Sequence, residues 1–212
     1  IFIYSSNIGI TKVVDQLGSE HIYDYARKFG FGIRTGIPLP NENPGILRLY
    51  IDWSRLSAPS VSMGQEISVN SLQLALAYSA VANGGYLPSP RILLNIKGDN
   101  YEKRDFSPQP VRQVISNKTS QILLKMMEAV VNEGTATNAY IPGFRIGGKT
   151  GTAEKFINGA YSKSDFISSF AAVFPVNEPK YVCVISVDSP AYGLHWGNET
   201  AAPIVKEIIG RL

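Results

Sequence analysis

Residues 147–154, Gly-Gly-Lys-Thr-Gly-Thr-Ala-Glu, combine a positive charge, hydroxyl groups and glycines within one short stretch. Glycine has no Cβ and therefore lets a ligand approach the backbone closely. Lys149 supplies a point charge, and the hydroxyls of Thr150 and Thr152 can donate hydrogen bonds to a carboxylate or a phosphate. The stretch therefore predicts an anion-binding site.

Two kinds of anion site fit these residue types. Gly143 to Thr150 matches the phosphate-binding pattern G-x-x-x-x-G-K-[ST], and the apolar run 182–188 ends in Asp188, as a magnesium site would require. A Lys-Thr-Gly triplet also lies on an edge strand beside the nucleophile of serine acyl-transferases that react with penicillin. The pattern alone fits both sites.

The sequence on either side favours the acyl-transferase. A phosphate-binding loop follows a buried strand and opens a helix. The preceding residues 133–142 are mostly small and polar and end in proline, and the Asn158-Gly159 turn would break a helix after about two turns. We therefore predict that Lys149 to Glu154 forms a strand on the rim of a groove, with a nucleotide-binding P-loop as the alternative.

Composition restricts the class of protein. The chain has 212 residues, of which 44% are hydrophobic, so it can form one domain with a core. The net charge of +3 is mild and no basic run occurs, so nucleic acid is not expected as a partner. His21 has no histidine nearby and Cys183 has no histidine or acid beside it, so we predict neither a metal site nor a cofactor.

Helical patterns come before strand patterns, which predicts an α+β fold. The helical part is expected at about 1–135 and the sheet part at about 144–212. Apolar periodicity and end signals predict the helices 10–17, 19–29, 71–83, 117–133 and 203–212, with a short strand at 91–96. Three sequential strands are predicted at 144–154, 165–175 and 181–188, and their short turns make them an antiparallel meander. The closing helix, with Ile204, Val205, Ile208 and Ile209, is expected to pack on this sheet.

Ser5, Ser6 and Asn7 follow an apolar run and precede the first helix. Serine and asparagine are preferred helix N-caps, so taken alone these residues predict a cap. Their place relative to the other motifs gives them a second interpretation.

The ordered set Ser5-Ser6-Asn7, Gly64-Gln65-Glu66-Ile67-Ser68 and Lys149-Thr150-Gly151-Thr152-Ala153-Glu154 resembles the transpeptidase domain of class B penicillin-binding proteins, in particular the cell-division type. The resemblance extends from Tyr4 to the end of the chain. It implies part of a serine β-lactamase/transpeptidase-like fold, in which a helical layer is followed by the three-stranded sheet. It also implies a peptidoglycan D,D-transpeptidase that works through a serine acyl-enzyme.

The resemblance assigns catalytic roles to Ser5, Asn7 and Lys149. Ser5 and Asn7 match the Ser-x-Asn motif, in which the serine relays protons and the asparagine holds a lysine and the substrate amide. Lys149 matches the Lys-Thr-Gly lysine, which raises the positive potential and supports proton transfer. We expect Ser5, Asn7, Lys149 and Thr152 to meet in one cleft.

The same resemblance assigns substrate binding to Ser6, Thr150, Gly151 and Thr152. The two threonines are expected to bind the carboxylate of a D-Ala-D-Ala stem peptide or of a β-lactam. The N–H of Thr152 is expected to donate to the oxyanion of the transition state. Gly151 is expected to keep the strand face clear so that substrate can add as a further strand.

One family motif is missing from the printed sequence. The nucleophile of the family lies in Ser-x-x-Lys, upstream of Ser-x-Asn, and no lysine of this chain has a serine three residues before it. We therefore expect the C-terminal portion of one transpeptidase domain, inactive alone and completed by the upstream half of the same domain. A penicillin-binding-like module that kept the fold and lost the serine is a further alternative.

The resemblance also implies partners and a location. The partners are the peptidoglycan stem peptide, β-lactams and the membrane cell-division machinery. The location is the outer face of the bacterial cytoplasmic membrane, with an anchor that the printed sequence does not contain.

Overall fold

A computed structural model describes residues 1–98, 101–107, 109–191 and 193–212, in which helices and strands are joined by loops. The helices are α1 (Asn7–Leu17), α2 (Ser19–Lys28), α3 (Ser57–Ser62), α4 (Ser71–Ala82), α5 (Asn117–Glu133) and α6 (Gly197–Gly210). The strands are β1 (Tyr86–Pro88), β2 (Asn95–Gly98), β3 (Tyr101–Asp105), β4 (Pro110–Gln113), β5 (Gly147–Ile157), β6 (Ala160–Phe174) and β7 (Tyr181–Asp188). Single 3-10 turns occur at Tyr50–Asp52 and Thr137–Ala139. The predicted α+β fold is confirmed.

The predicted meander is the 3-stranded antiparallel sheet β5-β6-β7. Asn158 and Gly159 join β5 to β6 with φ of 52° and 85°, the left-handed values that a tight hairpin turn requires. This turn allows pairing to continue to its edge, so β6 begins at Ala160 rather than at residue 165. Lys149 pairs with Ala171, and within the described residues β5 is an edge strand of this sheet.

The core lies around β6. Its buried Phe170 and Ala172 belong to a cluster that includes Ala202 and Val205 of α6. Val173, the next residue along the strand, packs instead with residues of α4 and α5. Because side chains alternate across a strand, the sheet is enclosed between α6 and the α4–α5 pair. This enclosure fixes β5, which carries the predicted anion site.

Local end signals are correct for two helices. Asn70 and Gln73 form a capping box at the start of α4, and the hydroxyl of Ser116 accepts a hydrogen bond from the backbone N–H of Thr119 at the start of α5. The side-chain amide of Gln73, which is 1% exposed, also donates to carbonyls of the loop that follows α2. Two predicted elements therefore have the ends that the sequence specifies.

The prediction for the closing helix is wrong in its start and in part of its buried face. Helix α6 begins at Gly197 and contains Pro203 in its interior, so the proline does not open it. Val205 and Ile209 are buried as predicted, but Ile204 and Ile208 are 41% and 38% exposed. Neighbouring helical positions differ by about 100° around the axis, and only one of each pair can face the sheet.

The strand predicted at 91–96 is present but is placed too early in the chain. The strand β2 begins only at Asn95, and Ile92, Leu93 and Leu94 are exposed outside it. A short apolar run predicts a strand only weakly, and these three apolar side chains lie on the surface instead.

Within the part of the chain that the structure describes, no helix has both the length and the hydropathy needed to cross a membrane.

Candidate active site

Ser5 and Ser6 lie in the turn that leads into α1. The hydroxyl of Ser6 accepts a hydrogen bond from the N–H of Gly9 at 3.1 Å, so Ser6 is the N-cap of α1. Ser5 has a φ of 50°, in the left-handed region where a non-glycine residue is strained, and its side chain is exposed. The cap predicted from residue types is thus formed by Ser6, while Ser5 projects from the turn.

Lys149 and Ser5 meet although 144 residues separate them in the chain. The ammonium of Lys149 donates a hydrogen bond to the hydroxyl of Ser5, with 2.8 Å between Nζ and Oγ. The same Nζ also donates to the carbonyl oxygen of Thr150 at 3.0 Å. The predicted convergence of the Ser-x-Asn serine and the Lys-Thr-Gly lysine is present in the fold.

Burial lowers the pKa of Lys149 from its usual 10.5 to about 8, because the charged form loses hydration. A pKa of about 8 leaves roughly a tenth of the amines neutral at pH 7. Lys149 can therefore provide a positive charge and also take part in proton exchange near neutral pH.

The hydroxyls of Thr150 and Thr152 have different partners. The Oγ1 of Thr150 lies 3.0 Å from the Oγ1 of Thr135. The Oγ1 of Thr152 accepts a hydrogen bond from the N–H of Gly197, the first residue of α6, at 3.3 Å. The N-terminus of a helix carries partial positive charge, so α6 favours an anion beside Thr152.

Two glycines of β5 lie close to side chains of the neighbouring strand β6. A Cβ on Gly148 would lie 2.4 Å from Cζ of Phe170, and a Cβ on Gly151 would lie 2.5 Å from Oγ of Ser169. Both contacts are far shorter than a van der Waals distance. At Gly148 the obstacle is a fully buried ring, whereas at Gly151 it is a serine hydroxyl that can rotate away. Packing therefore requires glycine at Gly148, and the role of Gly151 toward substrate stays a prediction.

The structure differs from the sequence interpretation at Asn7 and at Thr135. Asn7 opens α1 and is exposed, and its described contact is a hydrogen bond from Oγ1 of Thr11 to its backbone carbonyl. Thr135 was not singled out, although its hydroxyl contacts Thr150. A lone threonine 15 positions upstream carries no spacing signal, and only the folded structure brings it to the site.

The P-loop alternative is wrong. Residues Gly147–Ile157 form one strand that passes through Thr150, whereas a phosphate-binding loop requires a helix to begin there.

Comparison with known proteins agrees with this geometry. A family model described as the penicillin binding protein transpeptidase domain matches residues 1–210, and the chain belongs to this family. It is 38% identical to stage V sporulation protein D of Bacillus subtilis over 207 residues, which are 97% of this chain and 32% of that protein. It is 32% identical over 228 residues to a peptidoglycan D,D-transpeptidase FtsI homolog of Mesostigma viride, covering 98% of this chain and 38% of that protein.

A solved structure gives the same result in three dimensions. The crystal structure of penicillin binding protein 3 from Mycobacterium tuberculosis, complexed with aztreonam, superposes with a TM-score of 0.91 at 32% identity. The superposition covers 99% of this chain and 49% of that one. The chain thus spans 32% to 49% of the length of these relatives.

Proposed function

We propose that this chain is the C-terminal portion of a peptidoglycan D,D-transpeptidase domain, with the nucleophilic serine supplied by a preceding segment of the same domain. The division proposed is a mainly helical part at about 1–135, which also contains the short strands β1–β4, and a sheet part at about 144–212 that ends in α6. Membership of the transpeptidase family and the D,D-transpeptidase among its relatives support this assignment. The single observation that carries it is the hydrogen bond of 2.8 Å between Lys149 Nζ and Ser5 Oγ.

The reaction we propose is acyl transfer. The serine Oγ attacks the carbonyl carbon between the last two D-alanines, its proton passes to a base, the C–N bond breaks, and the terminal D-alanine leaves as an amine after gaining a proton. The amine of a second stem peptide then attacks the ester and loses a proton, which frees the serine and forms the cross-link. With a β-lactam the broken C–N bond lies within the ring, so the leaving amine stays attached.

Ser5, Asn7 and Lys149 are proposed as the catalytic residues of this portion. Ser5 passes a proton to the leaving amine and receives a proton from the ammonium of Lys149, whose pKa of about 8 suits proton exchange near neutral pH. Asn7, two residues from Ser5, holds the substrate amide.

Thr150 and Thr152 are proposed to bind the terminal carboxylate, aided by the charge of Lys149 and the N-terminus of α6. The N–H of Thr152 is proposed as an oxyanion donor. Gly151 lets substrate lie along the edge of β5 as an added strand. Ser6 contacts substrate through the proton that its capping bond leaves available.

The partners proposed are the D-Ala-D-Ala stem peptide, β-lactams, the upstream half of the domain and the membrane cell-division machinery. The location proposed is the outer face of the cytoplasmic membrane, where peptidoglycan is cross-linked. The anchor is proposed to lie in the preceding segment.

The test is covalent labelling of the complete protein by a fluorescent penicillin, compared with the 212-residue chain alone. We expect a labelled band from the complete protein and none from the chain. The variant Lys149→Met should lower the labelling rate by about 10²–10³-fold, in the range of lost proton transfer. Lys155→Met is the matched control on the same strand, because Lys155 pairs with Asp188 instead, and it should label at the normal rate. No labelling of the complete protein would overturn the proposal.

A further inference from the structure

Thr135 touches both halves of the site. It lies just after Gly134, which ends α5. Its backbone N–H donates to the carbonyl oxygen of Ile3 at 3.3 Å, two residues before Ser5. Its hydroxyl lies 3.0 Å from the hydroxyl of Thr150. One residue therefore links the turn that carries Ser5 to the strand that carries Lys149 and Thr150.

The backbone around Thr135 is fixed from several sides. Ala136 is fully buried, and its N–H donates to the carbonyl oxygen of Val130 at 3.0 Å. A Cβ on Gly134 would lie 2.5 Å from the carbonyl oxygen of Ile3, so the two segments are in close contact. Because the backbone on both sides of it is packed, the Thr135 hydroxyl is presented to Thr150 from a rigid support.

The chemistry of the hydroxyl pair follows from counting protons and lone pairs. A threonine hydroxyl has one proton to donate and lone pairs that accept. When Thr150 donates its proton to a carboxylate, the bond between the two hydroxyls can only be donated by Thr135. A hydroxyl that accepts one hydrogen bond is also polarised to donate a stronger one.

We propose that Thr135 is a positioning residue for carboxylate recognition. It donates to Oγ1 of Thr150, and this directs the proton of Thr150 toward the carboxylate of the substrate or β-lactam. The proposal rests on the proposed function, since it assumes that Thr150 binds that carboxylate. Thr135 itself acts only through Thr150.

The test measures the second-order rate of acylation of the complete protein by benzylpenicillin and by benzylpenicillin methyl ester, followed by mass spectrometry. The ester keeps the reactive ring and lacks the carboxylate. Thr135→Val keeps the shape of the side chain and cannot donate. We expect it to lower the rate with benzylpenicillin about tenfold, near the upper end of the range for one hydrogen bond between neutral groups, and to leave the rate with the ester within about twofold.

Two further variants separate positioning from folding. Thr135→Ser keeps the hydroxyl and should restore the rate with benzylpenicillin to within about threefold of the original protein. Thr137→Val, on an exposed position of the same segment, should leave both rates unchanged.

The outcomes distinguish this inference from the function on which it rests. If Thr135→Val slows both ligands equally, or slows neither, the positioning role is overturned while the transpeptidase assignment stands. If the unchanged protein is acylated by neither ligand, the proposed function itself is overturned.

Discussion

Replacing Gly148 with alanine should destabilise the domain by about 3 kcal/mol, the upper end of the range for overpacking a core. A Cβ at this position would lie 2.4 Å from Cζ of Phe170, 2.6 Å from its Cε2 and 2.8 Å from the carbonyl oxygen of Ala171. The ring of Phe170 is fully buried, and the carbonyl belongs to the backbone of β6. Neither atom can move aside cheaply, so β5 must shift relative to β6.

The free energy of unfolding from urea denaturation of the complete protein measures this effect, read on the transition of the transpeptidase domain. Gly210→Ala is the matched control at the last residue of α6, because a Cβ there would meet no atom within 4 Å beyond its chain neighbours and the backbone of its own helix. It should leave the free energy of unfolding within about 0.5 kcal/mol of the value of the original protein or raise it, as expected for alanine in a helix. Adding Phe170→Leu to Gly148→Ala should recover part of the loss, which would appear as a coupling energy in a double-mutant cycle. A change below about 0.5 kcal/mol for Gly148→Ala would refute the reasoning.

Three further changes test the energetics. The pKa of Lys149 is about 8 in the folded protein, below its usual value of 10.5, so the free energy of unfolding should rise as pH increases between these two values. In urea denaturation the Lys149→Met variant should lack this rise, and the same rise in the variant would contradict the prediction. The side-chain amide of Gln73 donates at 2.8 Å to each of two loop carbonyls, so Gln73→Leu should lower the free energy of unfolding by about 3 kcal/mol in thermal denaturation. A loss under about 1 kcal/mol would contradict this prediction. The hydrogen bonds of Arg145 lower the pKa of Glu128, so this ion pair stabilises the fold at neutral pH and loses its effect as pH falls through the acidic range. Because Arg145 is largely exposed, Glu128→Gln should lower the free energy of unfolding by less than about 1 kcal/mol at pH 7. The same variant should show a weaker loss of stability at acidic pH.

The elements that the sequence predicts correctly are those with local chemical causes. The Asn158-Gly159 turn, the capping box of Asn70 and Gln73 and the stop at Gly134 each depend on residues a few positions apart. The strand through Lys149 follows from breakers on both sides of it. These causes act within a window that can be read without the fold.

The errors and omissions have long-range causes. The exposure of Ile204 depends on which face of α6 meets β6, and this cannot be read from the apolar pattern alone. The contact of Thr135 with Thr150 depends on how the end of α5 meets β5. The role of Ser5 is only partly predictable from local sequence. Its residue type predicts only a cap, and the family resemblance is needed to connect it with Lys149.

The most direct test of the account is to identify which serine carries the acyl group. The complete protein is acylated with benzylpenicillin and digested, and the modified peptide is identified by mass spectrometry. The account predicts a modified serine in a Ser-x-x-Lys sequence ahead of Ile1, with Ser5 unmodified. An acyl group on Ser5, or on any other serine within residues 1–212, would contradict it.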